Sequence, residues 1–421
     1  MQIQKVEIKN FRGIEKSEFE FHPGFNLIIG ENGKGKTSTL EAIAVGLGGF
    51  VSGINSNAAR RVAAQEVRRT YPMLGDGSVD EKLNLPVDID IDAIIEEKSY
   101  HWTRRRDSLI SDYTHNLPIH ISQIAEKMAQ EENIELPVIL YEGTERTWAQ
   151  SSGKTASNSQ NNFYRSAGYN GSLLGKPNVR MLLDWCVKME MVSWQKERKI
   201  AEYEAVKNAV TLFMCKMEQK AEYHILYDKQ TGKLMFQTEK RRYPVEDLSS
   251  GYQSLVWMVL DIAYRMAVLN PDKKDKITET SGVVLIDEID LHLHPKWQWN
   301  IIDALRTVFP NVQFIAATHS PVLFASAKNV WIIDMDGTDI NYSFSEYGLD
   351  VNDTLNKYQN TDYVYPKVQE QMNHFYQMID EENYADAKSI LEKIEEETEP
   401  ENPLVIKMKT TLDLELLELE D

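Results

Sequence analysis

Gly30-Glu31-Asn32-Gly33-Lys34-Gly35-Lys36-Thr37 is the stretch that decides the fold. It fits the pattern GxxxxGK(S/T), and its flanks fit too. Upstream, MQIQKVEIKNF and SEFEFHPGFNLIIG alternate apolar and polar residues around a Pro23-Gly24 turn, which reads as strand, turn, strand. Downstream, TSTLEAIAVGLGGF reads as a helix. Strand, glycine-rich loop and helix N-terminus together make an anion cradle. Glycines let backbone N–H groups approach phosphates, and the helix terminus favours negative charge. The candidate nucleotide-binding set here is Gly30, Asn32, Gly33, Lys34, Gly35, Lys36, Thr37 and Ser38. Lys36 is expected to reach the β- and γ-phosphates, and the Thr37 hydroxyl to ligate Mg²⁺.

Further along, the apolar run GVVLI ends in Asp287 and Glu288. Such a run suits the centre of a sheet, whose carboxyl end would face the nucleotide. Asp287 is the candidate metal-shell carboxylate, and Glu288 the group that polarises an attacking water. Two acids closing a solvated strand would look the same, so the pair draws its meaning from the upstream loop. Thr318-His319-Ser320-Pro321 closes the next apolar run, and His319 is a candidate γ-phosphate partner; a structural histidine is the bland alternative. Leu248-Ser249-Ser250-Gly251-Tyr252-Gln253 precedes a helical stretch. Ser249, Ser250, Gly251 and Gln253 are candidates for donating to a phosphate, although Ser249 or Ser250 could be an ordinary helix cap. No such bland alternative explains loop, signature, carboxylate pair and histidine in this order.

In order and type these four motifs resemble ABC-type ATPase heads, within the branch of SMC, Rad50 and RecF proteins. About 100 residues separate Gln150 from Leu248, too few for a long coiled-coil arm. The pieces LPVILYEGTERTW, GYNGSL, NVRMLLDW and DEIDLHLHPKWQWNIIDAL are similar to a narrower group. It comprises the compact PtuA-type ATPase subunits of Septu and retron-associated anti-phage defence systems, encoded beside an HNH nuclease. The resemblance implies an α/β fold: a mixed central sheet, flanking helices, an N-terminal antiparallel β part and a short helical insertion. It also implies ATP and Mg²⁺ as cofactors and a head-to-tail homodimer or higher homo-oligomer. Ser249 and Gly251 of one subunit would then face Lys36, Thr37, Asp287 and Glu288 of another. Asp290 matches the D-loop that crosses the interface. Ser250 stands where the signature usually has its first glycine, which implies slow turnover. Arg146 lies near the place of the Q-loop residue.

The expected organisation is a head over residues 1–347, with a helical insertion at about 150–223, and an acidic helical domain over 348–421. Within the head, residues 50–80 read as a helical excursion, and VDIDIDAIIEE with KSYHWTRRR as a hairpin. The polar run 149–162 reads as a loop, and HILYDKQTGKLMFQ as a second hairpin. In the tail, three apolar stripes recur at helical spacing: Val368, Met372, Phe375 and Ile379; Tyr384, Ala387, Leu391 and Ile394; Val405, Met408, Leu412 and Leu416.

The chain of 421 residues carries a net charge of −19, which argues against a generic nucleic-acid coat. From Thr361 onward 5 lysines face 17 acidic residues, so −12 of that charge sits in the tail. This surface is either a solvated face or a dock for a basic partner. No run of about 18 uncharged apolar residues occurs, which points to no membrane span and a cytoplasmic location. Cys186 and Cys215 read as small buried residues. Basic clusters at Arg60, Arg61, Arg68 and Arg69, and at Arg104 to Arg106 beside Trp102, leave DNA contact open. A solvated hairpin tip is the alternative for the second cluster. His292 and His294 fit the D-loop better than a metal site, and Asp334 and Asp336 fit a terminal hairpin better than a nuclease motif. No HNH-like histidine cluster is present, so nuclease activity is expected in a separate partner that ATP gates, with DNA reached through the complex. The competing expectations are a RecF-like DNA-repair ATPase and a nucleotide-gated scaffold with little turnover.

Overall fold

A computed structural model describes residues 1–73, 79–110, 114–145, 164–219, 223–228, 230–238, 241–337, 339–345, 347–350, 353, 366–397 and 402–418. Two compact units divide the chain, Met1–Leu349 and Asp350–Asp421.

In the first unit the central sheet has six strands, in the order Asn341–Phe344, Val330–Asp334, Phe25–Ile29, Val312–Ala317, Gly282–Ile286 and Val138–Glu142. All neighbours are parallel except the edge pair Val330–Asp334 and Asn341–Phe344, an antiparallel hairpin. The strands Phe25–Ile29, Gly282–Ile286, Val312–Ala317 and Val138–Glu142 are buried at every position. Burial on both faces explains why these segments read as apolar runs without alternation. An antiparallel sheet of five strands, Ile14–Glu20, Gln2–Phe11, Val87–Ile95, Lys98–Arg106 and His115–Leu117, forms a second layer.

Helix Lys36–Ile54 packs against this second layer, and close approach at glycine makes that possible. A Cβ on Gly49 would lie 2.7 Å from Trp102 Nε1, and one on Gly46 would lie 2.6 Å from Ile91 Cδ1. The helix is long and apolar enough to cross a bilayer by composition, yet its residues are core of the head. It ends at Ile54 because Asn55 folds back, its side-chain oxygen accepting from Asn57 N and Ala58 N. The helical excursion expected over residues 50–80 is therefore corrected. Beyond Asn55 the described chain forms one short 3₁₀ turn, Ala64–Glu66, and two short strands, Arg69–Thr70 and Lys82–Leu83.

The insertion contributes helices Val179–Gln195 and Ala201–Glu218, followed by the antiparallel strands Tyr223–Asp228 and Lys233–Thr238. Cys186 is buried there, and burial pushes its thiol pKa up to about 12; Cys215 is half-buried. The polar run 149–162 lies outside the described residues.

Helices Pro366–Asp380, Tyr384–Glu397 and Pro403–Glu418 form the second unit. Met372, Phe375, Ile379, Ala387, Leu391, Ile394, Val405, Met408 and Leu412 bury against one another. The tail's apolar stripes thus pair among themselves, and only Leu416 of the third stripe stays exposed.

Candidate functional site

Parallel pairing brings the carboxyl ends of the central strands to one edge, where a doubly covered sheet binds ligands. Ile29 leads into Gly30, Ile286 into Asp287, and Ala317 into Thr318 and His319. The loop from Gly30 to Gly35 needs its glycines: Gly30, Gly33 and Gly35 have φ of 143°, 88° and 96°, and Gly35 caps the helix. Glu31 to Lys34 are exposed, whereas Lys36 is buried to 7 % exposure. The Lys36 ammonium donates to Gly30 O and to Glu31 O, so it lies under the loop it belongs to. Burial lowers its pKa, opposed by the charges of Asp336, Asp287, Glu288 and Asp290.

Thr37 Oγ1 donates to Asp287 Oδ1 at 3.1 Å, joining phosphate-loop helix and carboxylate strand across 250 residues of sequence. Asp287 is 1 % exposed, and its backbone N–H donates to Glu142 O on the neighbouring strand. Glu288 follows in the left-handed region, φ 45°, where a non-glycine residue is rare and often functional. His319 is half-buried, and its pKa is lowered by burial and by Lys36 against the pull of Asp290, Glu288 and Asp336. Its neighbours are pinned: Thr318 Oγ1 donates to Asp290, and Ser320 Oγ donates to Gln298 Oε1 at 2.6 Å. Asp290, the expected D-loop acid, is thus bonded within its own chain.

The signature segment lies at the N-terminus of helix Ser250–Leu269. Ser249 occupies the cap position, yet its side chain makes no capping bond. Ser249 and Ser250 are exposed, and among the described residues neither hydroxyl has a hydrogen-bond partner. Gln253 Nε2 braces the turn from behind through Leu248 O at 2.7 Å and Glu246 O at 2.8 Å. A Cβ on Gly251 would lie 2.6 Å from His292 O, so the helix start is pressed against the segment after the carboxylate pair. Tyr252 stacks edge-on to Trp297, and the Tyr252 hydroxyl and Trp297 Nε1 both donate to Glu218 Oε1. Glu218 ends the second insertion helix. Among the described residues, no hydrogen bond or ion pair joins the signature to the phosphate loop.

Several sequence expectations change. Trp102 is 0 % exposed, with Nε1 donating to Gly46 O at 2.8 Å, so it offers no stacking face. Arg104 and Arg106 are buried and donate to Thr114 O, Asn116 and Arg60 O, and to Ser108 O and Val62 O respectively. Arg105 forms a two-pronged pair with Asp88. These residues also belong to the strand, at the end away from the Glu96-Glu97 tip of the expected hairpin. Arg60 pairs with Glu41 and Glu66, Arg68 with Glu15, and Arg69 with Glu81, so only Arg61 of that cluster is left unpaired among the described residues. His294 caps helix Pro295–Gln298, its Nδ1 accepting from Lys296 N. Arg146 lies outside the described residues. Asp336 was not among the expected site residues, yet its carboxylate accepts from Glu31 N. The sequence carried no signal for that contact beyond the DxD spacing of WIIDMDG.

Loop, lysine, hydroxyl–carboxylate pair and histidine on one sheet edge define a P-loop ATPase head. Residues 5–235, more than half of the chain, match the profile of an AAA-domain family, and the chain belongs to that family of ATPases. A second profile, described as AAA domain, putative AbiEii toxin, Type IV TA system, matches residues 223–325. The chain is 26 % identical over 426 residues to Septu protein PtuA of Bacillus thuringiensis, covering 96 % of this chain and 95 % of that one. It is 40 % identical over 114 residues, 26 % of its length, to the retron Vc95 probable ATPase of Vibrio cholerae. That stretch covers only 22 % of the retron protein. Among solved structures, the SMC head bound to the C-winged helix domain of ScpA matches 82 % of this chain and 97 % of its own. The TM-score there is 0.50 at 16 % identity, which establishes a shared fold, the ABC-type ATPase head.

Proposed function

We propose that this chain binds and hydrolyses ATP between two head-to-tail copies, and that this cycle gates a separate HNH nuclease of an anti-phage defence system. One observation carries the ATP part: Lys36, the Thr37–Asp287 pair, Glu288 and His319 stand on one sheet edge, while the exposed hydroxyls of Ser249 and Ser250 have no partner among the described residues. A second copy would supply that missing half. Lys36 and the backbone N–H groups from Asn32 to Ser38 would hold the phosphates. Glu288 would orient and polarise the attacking water, and His319, kept neutral, would hydrogen-bond the γ-phosphate. A hydroxyl and a buried carboxylate 3.1 Å apart form the hard-oxygen donor set that suits Mg²⁺, so Thr37 and Asp287 would hold it. That ion would supply charge neutralisation on the phosphates. Ser250, where a glycine would leave more room for a phosphate, supports a slow cycle.

The defence assignment rests on the near full-length likeness to PtuA and on the retron ATPase match. Direct DNA binding through the Trp102–Arg106 cluster loses its motive, because Trp102, Arg104 and Arg106 are core. The test reads the neighbouring frame for an HNH nuclease and co-expresses that protein with this chain, followed by size-exclusion chromatography with and without ATP. A nucleotide-sensitive complex is expected. Absence of any complex at micromolar concentration would overturn the partner assignment.

A further inference from the structure

Strand Val330–Asp334 runs parallel beside the phosphate-loop strand, with Asp334 level with Ile29. The residues after the two strand ends therefore travel side by side. Met335 N donates to Ile29 O at 3.1 Å, and Asp334 Oδ1 accepts from Asp336 N at 3.0 Å, turning the chain toward the loop. Asp336 then touches the loop twice. Its Oδ1 accepts from Glu31 N, and its backbone carbonyl accepts from the Lys34 ammonium at 2.9 Å. The fit is close enough that a Cβ on Gly30 would lie 3.1 Å from Asp336 Oδ1. The glycine at the head of the loop thus also clears space for this carboxylate.

The bond to Glu31 N fixes the first turn of the loop, whose later amides would hold phosphate in the ATP reading. The same carboxylate is a negative charge beside a site built for a polyanion. Among the carboxylates acting on the Lys36 ammonium, Asp336 weighs more than Asp287, Glu288 or Asp290, and it also acts on His319. In the ATP reading Asp287 would serve the metal and Glu288 the water; Asp336 would serve neither, and its charge opposes the incoming phosphates.

We propose that Asp336 is a positioning residue of the phosphate loop whose charge holds down the affinity of a single head for the ATP triphosphate. This rests on the ATP reading above and extends it. Loose capture by one head leaves tight capture to the assembled pair, where the second copy's signature adds donors. ATP occupancy then reports assembly.

Substitution separates brace from charge. Asp336→Asn keeps an oxygen for the Glu31 amide and removes the charge; Asp336→Ala removes both. Binding of the non-hydrolysable analogue AMP-PNP and of ADP, each with Mg²⁺, is measured by calorimetry on the full chain at low and high salt. Asp336→Asn is expected to bind AMP-PNP roughly three- to tenfold tighter than the wild type, the size of one unit charge removed at the rim of a solvated site. The gain should be smaller for ADP and should shrink with salt. Asp336→Ala, lacking the brace, should bind more weakly than Asp336→Asn. Circular dichroism and thermal melts establish that each variant is folded. If the wild type binds AMP-PNP and Asp336→Asn binds it no better, the proposal is overturned while the ATP reading stands. If the wild type binds neither nucleotide, the ATP reading itself falls.

Discussion

Glu218→Ala is a perturbation whose cost can be worked from the contacts. One carboxylate oxygen accepts from two donors, the Tyr252 hydroxyl and Trp297 Nε1, the latter at 2.8 Å. Glu218 is only 9 % exposed, and both aromatic partners are half-buried. Burial, and then the bond to Glu218, raises the Tyr252 pKa, so the hydroxyl remains protonated and must donate somewhere. A stranded buried donor costs about 1–3 kcal/mol. Water reaches half-buried donors in part, so the lower end applies to each, and about 2–3 kcal/mol is expected in total. Glu218→Gln keeps an acceptor and exchanges charge-assisted bonds for neutral ones, a loss of about 1 kcal/mol. The assay is urea unfolding followed by Trp fluorescence, using the head's transition alone, because the two units need not unfold together. The loosened signature should also lower turnover more than it lowers nucleotide binding. A Glu218→Ala head within about 0.5 kcal/mol of the wild type would refute the reasoning, since that is the ordinary scatter of surface substitutions. So would a Glu218→Gln variant as damaged as the alanine.

Gly251→Ala places a Cβ 2.6 Å from His292 O and must move the signature backbone, costing about 1–3 kcal/mol; ATPase turnover should collapse while AMP-PNP binding by the single head stays near wild type, and loss of both together would contradict this. His319 has its pKa lowered in the fold, so an unfolded chain takes up its proton first as the pH falls. Its contribution is complete above the unfolded value of about 6.5 and declines below it. The stability difference between wild type and His319→Gln should therefore shift against the wild type on acidification, and a pH-independent difference in paired urea titrations from pH 8 to 5 would count against a depressed pKa.

What was legible in the sequence follows from sheet physics. Central parallel strands are buried on both faces, so VVLI and QFIAA read as unbroken apolar runs, and the residues just past them could be assigned to one edge. Helical spacing likewise exposed the three tail stripes, although not that they bury against one another. Trp102 and the arginines were misread for a reason present in the sequence. Along a strand, alternate residues share a face. Trp102, Arg104 and Arg106 therefore point inward together, and only Arg105 points out. Composition drew attention to the cluster; periodicity already divided it. Asp336 was illegible for a different reason. Its contact with Glu31 spans 305 residues and depends on which strand lies beside Phe25–Ile29, and sheet order is not written in local pattern. The Tyr252–Glu218–Trp297 cluster needed three distant segments at once. The end of the phosphate-loop helix was missed because alanine and arginine after Asn55 favour helix locally, while the Asn55 turn and the Arg60–Glu66 pair hold the chain in another course.

In the proposed dimer each catalytic site takes its phosphate loop from one copy and its signature from another. Complementation tests it most directly. Lys36→Ala disables the loop and leaves the signature; Ser249→Arg does the reverse. Each variant alone should lack ATPase activity. Mixed in equal amounts and allowed to exchange, random pairing puts one intact site in every mixed pair, and about a quarter of wild-type turnover should return. Mixed pairs that form, as shown by mass, yet stay inactive would contradict the shared site.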